Sequence, residues 1–269
     1  MLLASFLFSV MGVLIKKLDH IPAHELVFFR ALITLVICGA LIRKAGVSPW
    51  GVNRPVLILR GLAGTLSLFL FFYTLQILPL ASAVSLQFLS PIFTIFLAGL
   101  FLKEPANSKQ WLFFILAFVG VLMIKGFDMR VSSYGMMLAI LGAFGSAMAY
   151  NFVRVLKSTD LPVVIIFYFS MVTIPIMGPI TFFDWVTPQA WDWLLIILVG
   201  LTTQFAQMNL TKALHLEKAA NVTHLKYLSL IYALVFGFIF FHEAIPILSI
   251  LGMLLIAISA IFANRVRSL

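Results

Sequence analysis

The chain has 269 residues, 63% of them apolar and only 10% charged. Soluble domains run at about 45–50% apolar and about 25% charged, and a domain of this size still needs a polar shell, so a soluble globular fold is excluded. Eighteen Lys and Arg against nine Asp and Glu give a net charge of +9, yet the basic residues stand singly or in pairs between apolar runs, which excludes a nucleic-acid surface and points to charge-biased membrane loops.

Apolar runs and turn residues predict ten spans: Met1–Ile15, Ala23–Ile42, Pro55–Leu78, Leu80–Leu102, Lys109–Ile124, Val131–Val155, Leu161–Phe183, Pro188–Leu210, Ala219–Phe241 and Ile245–Ala263. Most approach the ~20 residues that a crossing helix needs. The first reaches only about 22 Å at 1.5 Å per residue, so either Lys16 snorkels or a few upstream residues are missing. No charge occurs from Gly61 to Leu102, too long a stretch for one crossing, and Pro79 marks the expected hairpin. Pro91, Pro175 and Pro179 lie inside spans, where proline kinks a helix. Trp50, Trp111, Trp185, Trp191 and Trp193 sit near span ends, as an aromatic belt requires.

Orientation follows from the cations. With a cytoplasmic N-terminus the inner connections and tail hold eleven Lys and Arg, the outer ones hold Lys16, Lys17, Lys125 and Arg130, and Arg30, Arg60 and Lys226 lie within spans. That asymmetry puts both termini in the cytoplasm. The single cysteine, Cys38, excludes an internal disulfide and reads as core filler.

The halves align without a gap when Phe72–Glu104 is set on Thr211–Glu243, with eight of 33 positions identical. An odd number of helices per half inserts the second half upside down, the arrangement that frames midplane sites in transporters. The predicted fold is therefore an all-α polytopic membrane protein of ten transmembrane helices in two inverted five-helix repeats, residues 1–126 and 127–269.

These residues resemble the EamA-type members of the drug/metabolite transporter superfamily. The resemblance is carried by FFRALITL (Phe28–Leu35), LRGLAG (Leu59–Gly64), FYTLQILPLASAVSLQFLSPIFT (Phe72–Thr94) with Leu102-Lys103-Glu104, and KALHLEKAANVTHLKYLSLIYALVFGFIFFHE (Lys212–Glu243). It covers essentially the whole chain and rests on the order of these segments, none of which is specific alone. It implies carriage of small metabolites through a central cavity lined largely by spans 1, 3, 4, 6, 8 and 9, with no cofactor.

Each polar residue inside a span has a bland reading beside a functional one. Arg30 in span 2 carries an expensive intramembrane charge, but a long side chain near the outer end snorkels readily, so it reads as a structural charge. Lys226 in span 9 matches Gln87 in the first repeat; a desolvated lysine binds an anion or releases a proton, or else snorkels to the inner headgroups. Asn221, His224 and Tyr227, at i, i+3 and i+6 of the same span, form one broad face, the His serving as interhelical bond or proton carrier. In span 4, Gln87, Ser90 and Thr94 form a polar stripe, and Pro91 frees a backbone carbonyl, as a packing kink or a gating bend. Tyr73, Tyr150, Asn151, Gln204 and Gln207 complete the expected substrate contacts, although polar groups in spans commonly glue helices. Ser5, Ser9 and Gly12 read as close packing. Glu104 and Glu243 are repeat mates that offset the N-terminal dipoles of the helices following them.

All nine acids lie in connections or near span ends, and no metal-ligand or nucleophile motif is present. The expected function is a secondary transporter or facilitator of an amino-acid-like or drug-like metabolite, working by alternating access in a bacterial inner membrane, with transport downhill or weakly coupled to pH. A membrane-embedded enzyme or a flippase-like lipid handler is the alternative. The implied partners are a small-molecule substrate and the bilayer, not nucleic acid; a homodimer is permitted but not required.

Overall fold

A computed structural model describes residues 2–101, 108–216 and 228–267. Within them the chain forms eleven helical segments: α1 (Leu2–Lys17), α2 (Ala23–Ala45), α3 (Arg54–Ile77), α4 (Leu80–Gln87), α5 (Leu89–Phe101), α6 (Ser108–Phe127), α7 (Ser133–Leu156), α8 (Pro162–Phe183), α9 (Ala190–Leu216), α10 (Leu228–Phe241) and α11 (Ile247–Arg267). Helices are what an apolar chain must form in lipid, where every backbone N–H and C=O has to be satisfied within the segment. Six spans among the described residues are long and apolar enough to cross a bilayer, with α10 and the apolar part of α11 shorter. Large apolar side chains such as Ile115, Leu122, Phe182, Phe183 and Phe238 stand exposed on the bundle surface. Lipid is the solvent that such a surface requires, and the protein is an integral membrane protein.

The expected hairpin at Pro79 is present: α3 ends at Ile77, Leu78 is extended, and Pro79 (φ −54°, ψ 138°) leads into Leu80. Span 4 is broken rather than gently kinked. Pro91 lacks an N–H and its ring clashes with the carbonyl four residues back, that of Gln87. Accordingly α4 stops at Gln87, the Phe88 amide turns back to the Ser85 carbonyl (3.0 Å), and α5 restarts at Leu89 with Pro91 in its first turn. Pro175 and Pro179, by contrast, lie inside a continuous α8.

Small residues bring the helices together, as close backbone approach in a membrane bundle demands. A Cβ added at Gly120 would lie 2.6 Å from the Gly252 carbonyl, and one at Gly252 would lie 2.7 Å from the Gly120 carbonyl, so α6 and α11 touch backbone to backbone. Helix α3 packs on α7 through Ser67, Gly142 and Gly145, and on α8 where Gly61 meets Val172. The other main pairings are α2 with α8 and α9, α1 with α9 and α10, α5 with α7, and α4 with α10.

Two sequence expectations change at the end of the bundle where α1 and α3 finish. Lys16 does not snorkel: its Nζ lies 3.0 Å from Glu243 Oε1 and donates to the Leu78 carbonyl. Glu243 does not serve the helix that follows it. Its Oε2 accepts the Leu80 amide at 2.8 Å, so the carboxylate caps α4, a helix of the other half of the chain. The charge–dipole principle holds, but tertiary packing chooses the helix. Glu104 lies outside the described residues.

Candidate functional site

A cavity of about 240 Å³ lies inside the bundle, room for roughly eight waters at their liquid volume. Its wall is assembled from helices distant in sequence. Helix α1 contributes Ser5, Phe8, Ser9 and Met11; α3 contributes Arg60, Gly64, Ser67 and Phe71; the break in span 4 presents Gln87 and Phe88. Across from them stand Ser146 and Tyr150 of α7, Phe169 of α8, Thr203 and Gln207 of α9, and Ser229 of α10, with Arg30 reaching in from α2. The break places Gln87 here: with its helix ended by Pro91, the side chain reaches Ser146, whose Oγ accepts its Nε2 at 2.7 Å. Ser146 also shares a hydrogen bond with Ser67, whose hydroxyl additionally reaches the Gly142 carbonyl at 2.8 Å. One side of the cavity is therefore a hydroxyl and amide chain joining α3, α4 and α7.

The wall is also cationic. Arg30 is 9% exposed and its guanidinium carbon lies 5.6 Å from the centre of the Phe169 ring; that of Arg60 lies 4.7 Å from the same ring. Nε and one terminal nitrogen of each arginine are buried without a hydrogen-bond partner, and neither forms an ion pair among the described residues. Among the described residues no acid lines the cavity. The close approach of α3 to α8 sets this geometry: Thr65 and Thr173 hydroxyls meet at 2.7 Å, and Gly64 leaves room for Arg60 to lie against Phe169. A Cβ at Gly64 would collide with Arg60 Nη1 and stand 3.0 Å from Phe169 Cε2.

Of the residues expected as substrate contacts, Gln87, Tyr150 and Gln207 reach the cavity. Tyr73, Ser90, Thr94, Asn151 and Gln204 do not. Tyr73 packs on the apolar core beside Phe69. Thr94 turns its hydroxyl back to the Ser90 carbonyl at 2.7 Å. Asn151 Nδ2 ties α7 to α5 by donating to the Thr94 carbonyl at 3.1 Å, and Gln204 donates to the Cys38 sulfur at 3.6 Å. These are the interhelical and back-bonded uses that polar groups in membrane helices commonly serve. His224, Lys226, Tyr227 and Asn221 lie outside the described residues.

Arg30, expected as a structural charge, lines the cavity, about 10 Å along α2 at 1.5 Å per residue. Ser5 and Ser9 also line the cavity, Ser9 reaching the Ser229 carbonyl of α10 at 3.5 Å, and Gly12 packs against Leu80. Arg60 and Phe169 are absent from the sequence-derived set. Two signals pointed to them: Arg60 is one of three cations inside spans, and Phe169 is the repeat mate of Arg30 at the offset that aligns Glu104 with Glu243.

An apolar helical bundle around a solute-sized cavity with polar and cationic walls has the makings of a membrane carrier. Comparison with known proteins gives the family. The chain belongs to the EamA-like transporter family, which matches residues 1–126 and again 133–265. It is 32% identical to the pseudopaline exporter of Pseudomonas aeruginosa over 98% of this chain and 94% of that protein. It is 33% identical to human solute carrier family 35 member G1, covering 90% of this chain and 71% of the other, and 26% identical to the S-adenosylmethionine uptake transporter of Rickettsia prowazekii, covering 87% and 81%. A crystal structure of 18% identity shares the fold, with a TM-score of 0.63 over 98% of this chain and 95% of that one. Members of this family are transporters and not enzymes.

Proposed function

We propose that the protein is a secondary transporter that carries a small organic metabolite across the membrane by alternating access between two inverted five-helix halves, ten crossings in all. The observation that carries this reading is the cavity itself, walled by helices of both halves and closed at the Glu243 end by polar contacts that join one half to the other. Lys16 and Leu80 meet Glu243 there, His20 meets Asp192 at 3.0 Å, and Glu25 accepts the Val186 amide at 3.2 Å. Contacts of that kind between halves break and reform when two rigid bodies rock about a central site.

The packing pattern supports the repeat. Let α4 and α5 count as one crossing, and let each crossing of the first half exchange with its counterpart in the second. The pairs α3–α7 and α1–α9 then interchange, as do α5–α7 with α1–α10 and α3–α8 with α2–α9, while α6–α11, α2–α8 and α4–α10 map onto themselves. The double family match supports it too. Gln87, Tyr150 and Gln207 are the proposed substrate contacts, and the break at Phe88 is the proposed gating bend. With no acid in the cavity wall among the described residues, transport runs downhill or with weak dependence on pH. The cation bias of the connections supports cytoplasmic termini in the inner membrane of a bacterium.

The test is flux. Cells overexpressing the protein are screened for export or uptake of amino acids, drugs and nucleosides, and the hits are measured in proteoliposomes. Saturable counterflow of a hit supports the proposal. Phospholipid scrambling in those vesicles without solute flux would replace it with a lipid-handling function, and flux driven steeply by a pH jump would overturn the coupling.

A further inference from the structure

Two guanidiniums face one cavity, and among the described residues of its wall no acid answers their charge. An ion taken out of water and left unpaired is costly, and Arg stays protonated in proteins, so the cost is not avoided by releasing a proton. The ring of Phe169 offsets part of it, since its negative face attracts a cation. The N–H donors of a guanidinium match an oxyanion in bidentate fashion. On Arg30, nine-tenths buried, Nε and Nη1 are without a partner, as they are on Arg60. Gly64 keeps open the space in which Arg60 lies. The chain thus holds two guanidiniums in one cavity wall, places no acid beside them among the described residues, and adds the neutral donors and acceptors of Ser67, Gln87 and Ser146 to the same wall.

We infer that Arg30 and Arg60, set against Phe169, form a two-arginine clamp for an oxyanion of the substrate, which makes the carried metabolite an anion, or a zwitterion bound through its acidic group. This deepens the transport reading and rests on it for the word substrate; the clamp itself is a binding site. Its consequences are specific. An uncharged or cationic molecule leaves both forks unanswered, whereas an oxyanion neutralises buried charge as it binds. Bound ligand therefore stabilises the protein, and an amide in place of the acid loses that gain.

Binding is read by thermal unfolding of the purified protein in lipid nanodiscs, titrated with glutamate, succinate and inorganic phosphate, and in parallel with glutamine and succinamide. At least one oxyanion raises Tm in a saturable manner and its amide counterpart does not; which of carboxylate or phosphate acts tells the two oxyanion sources apart. Arg30→Gln and Arg60→Gln each weaken that binding at least tenfold, and Arg30→Lys falls between, because an ammonium keeps the charge but not the fork. Elution as a monodisperse species with an unliganded Tm no lower than that of the parent shows that the variants are folded. The clamp is overturned if no oxyanion shifts Tm, if the amides act equally, or if both Gln variants bind as the parent does. Saturable oxyanion binding without any counterflow would defeat the transport reading and leave the clamp standing; counterflow of a solute that survives Arg30→Gln with Arg60→Gln would do the reverse.

Discussion

Charge away from water is handled in opposite ways at the Glu243 end of the bundle and in the cavity. At the end, Lys16 and Glu243 are 3.0 Å apart, Asp128 holds Arg130 at 2.9 Å, and Asp192 holds His20 at 3.0 Å. Burial matters more than geometry for such pairs, since breaking a buried one strands a charge. In the cavity, Arg30 and Arg60 have an aromatic ring and, among the described residues, no acid. The difference separates charges that the chain needs in order to stand from charges that it keeps for something else. A partner supplied by the fold marks the first, and a withheld partner marks the second.

Several experiments break or sharpen that contrast. The largest effect belongs to Glu243→Ala, which strands Lys16 and uncaps α4; loss of a buried partner costs about 3 kcal/mol, read as a fall in thermal or denaturant stability in detergent. Charge reversal at the pair, Lys16→Glu with Glu243→Lys, recovers part of the loss. In the cavity, stability and function come apart. Gly64→Ala costs about 1 kcal/mol of stability, the centre of the range for single substitutions, because its Cβ meets the far end of Arg60 and stands 3.0 Å from the Phe169 ring. Displacing that guanidinium weakens ligand binding about tenfold, read as the same nanodisc titration. If Gly64→Ala binds ligand normally, Arg60 has no fixed place in the site.

A smaller effect is expected at Asp160, at the other end of the bundle. Burial opposes its ionised form, but the amides of Val52 (2.6 Å) and Asn53 (3.2 Å) and the Thr159 hydroxyl (2.7 Å) outweigh it and hold the carboxyl below its usual range. A carboxyl depressed by folding gives its full stabilisation above its unfolded pKa of about 3.9 and loses it as pH falls through the folded value. Stability followed from pH 6 downward falls at the acid end, and Asp160→Asn flattens that fall. The smallest effect is at Asn151, whose bonds to the Thr94 and Ala147 carbonyls tie α7 to α5. Asn151→Ala costs about 0.6 kcal/mol, usual for an interhelical bond in a membrane bundle, and leaves transport intact; lost transport at unchanged stability would return Asn151 to the binding set.

The spans were legible because lipid admits few alternatives. An apolar run bounded by Pro, Gly or charge has to become a helix, and the observed bounds of α2, α3, α7 and α8 fall within a few residues of those predicted. Pro79 and Pro91 were legible as a hairpin and a bend from the chemistry of the ring alone. Which face of a helix meets the cavity was not. Gln87 and Thr94 belong to one predicted stripe, yet Gln87 ends α4 and reaches the cavity, whereas Thr94 lies in α5 beyond the break and does not. Tyr73 meets an apolar neighbour, Asn151 two backbone carbonyls and Gln204 a sulfur instead of the cavity, and Ser90 does not line it either.

Composition by itself determined that this chain lives in a membrane, is helical, and keeps its acids near the ends of its spans, because an unpaired polar group in hydrocarbon is too costly to leave to chance. The tertiary structure alone decided what its buried cations face. Arg30 and Arg60 are far apart in sequence and sit in different helices; only the close approach of α3 to α8, through Gly61 and Gly64, and of α2 to α8 turns both toward Phe169. A snorkelling arginine and a binding arginine have the same sequence signature, and the neighbour that each side chain finds is a property of the packed bundle.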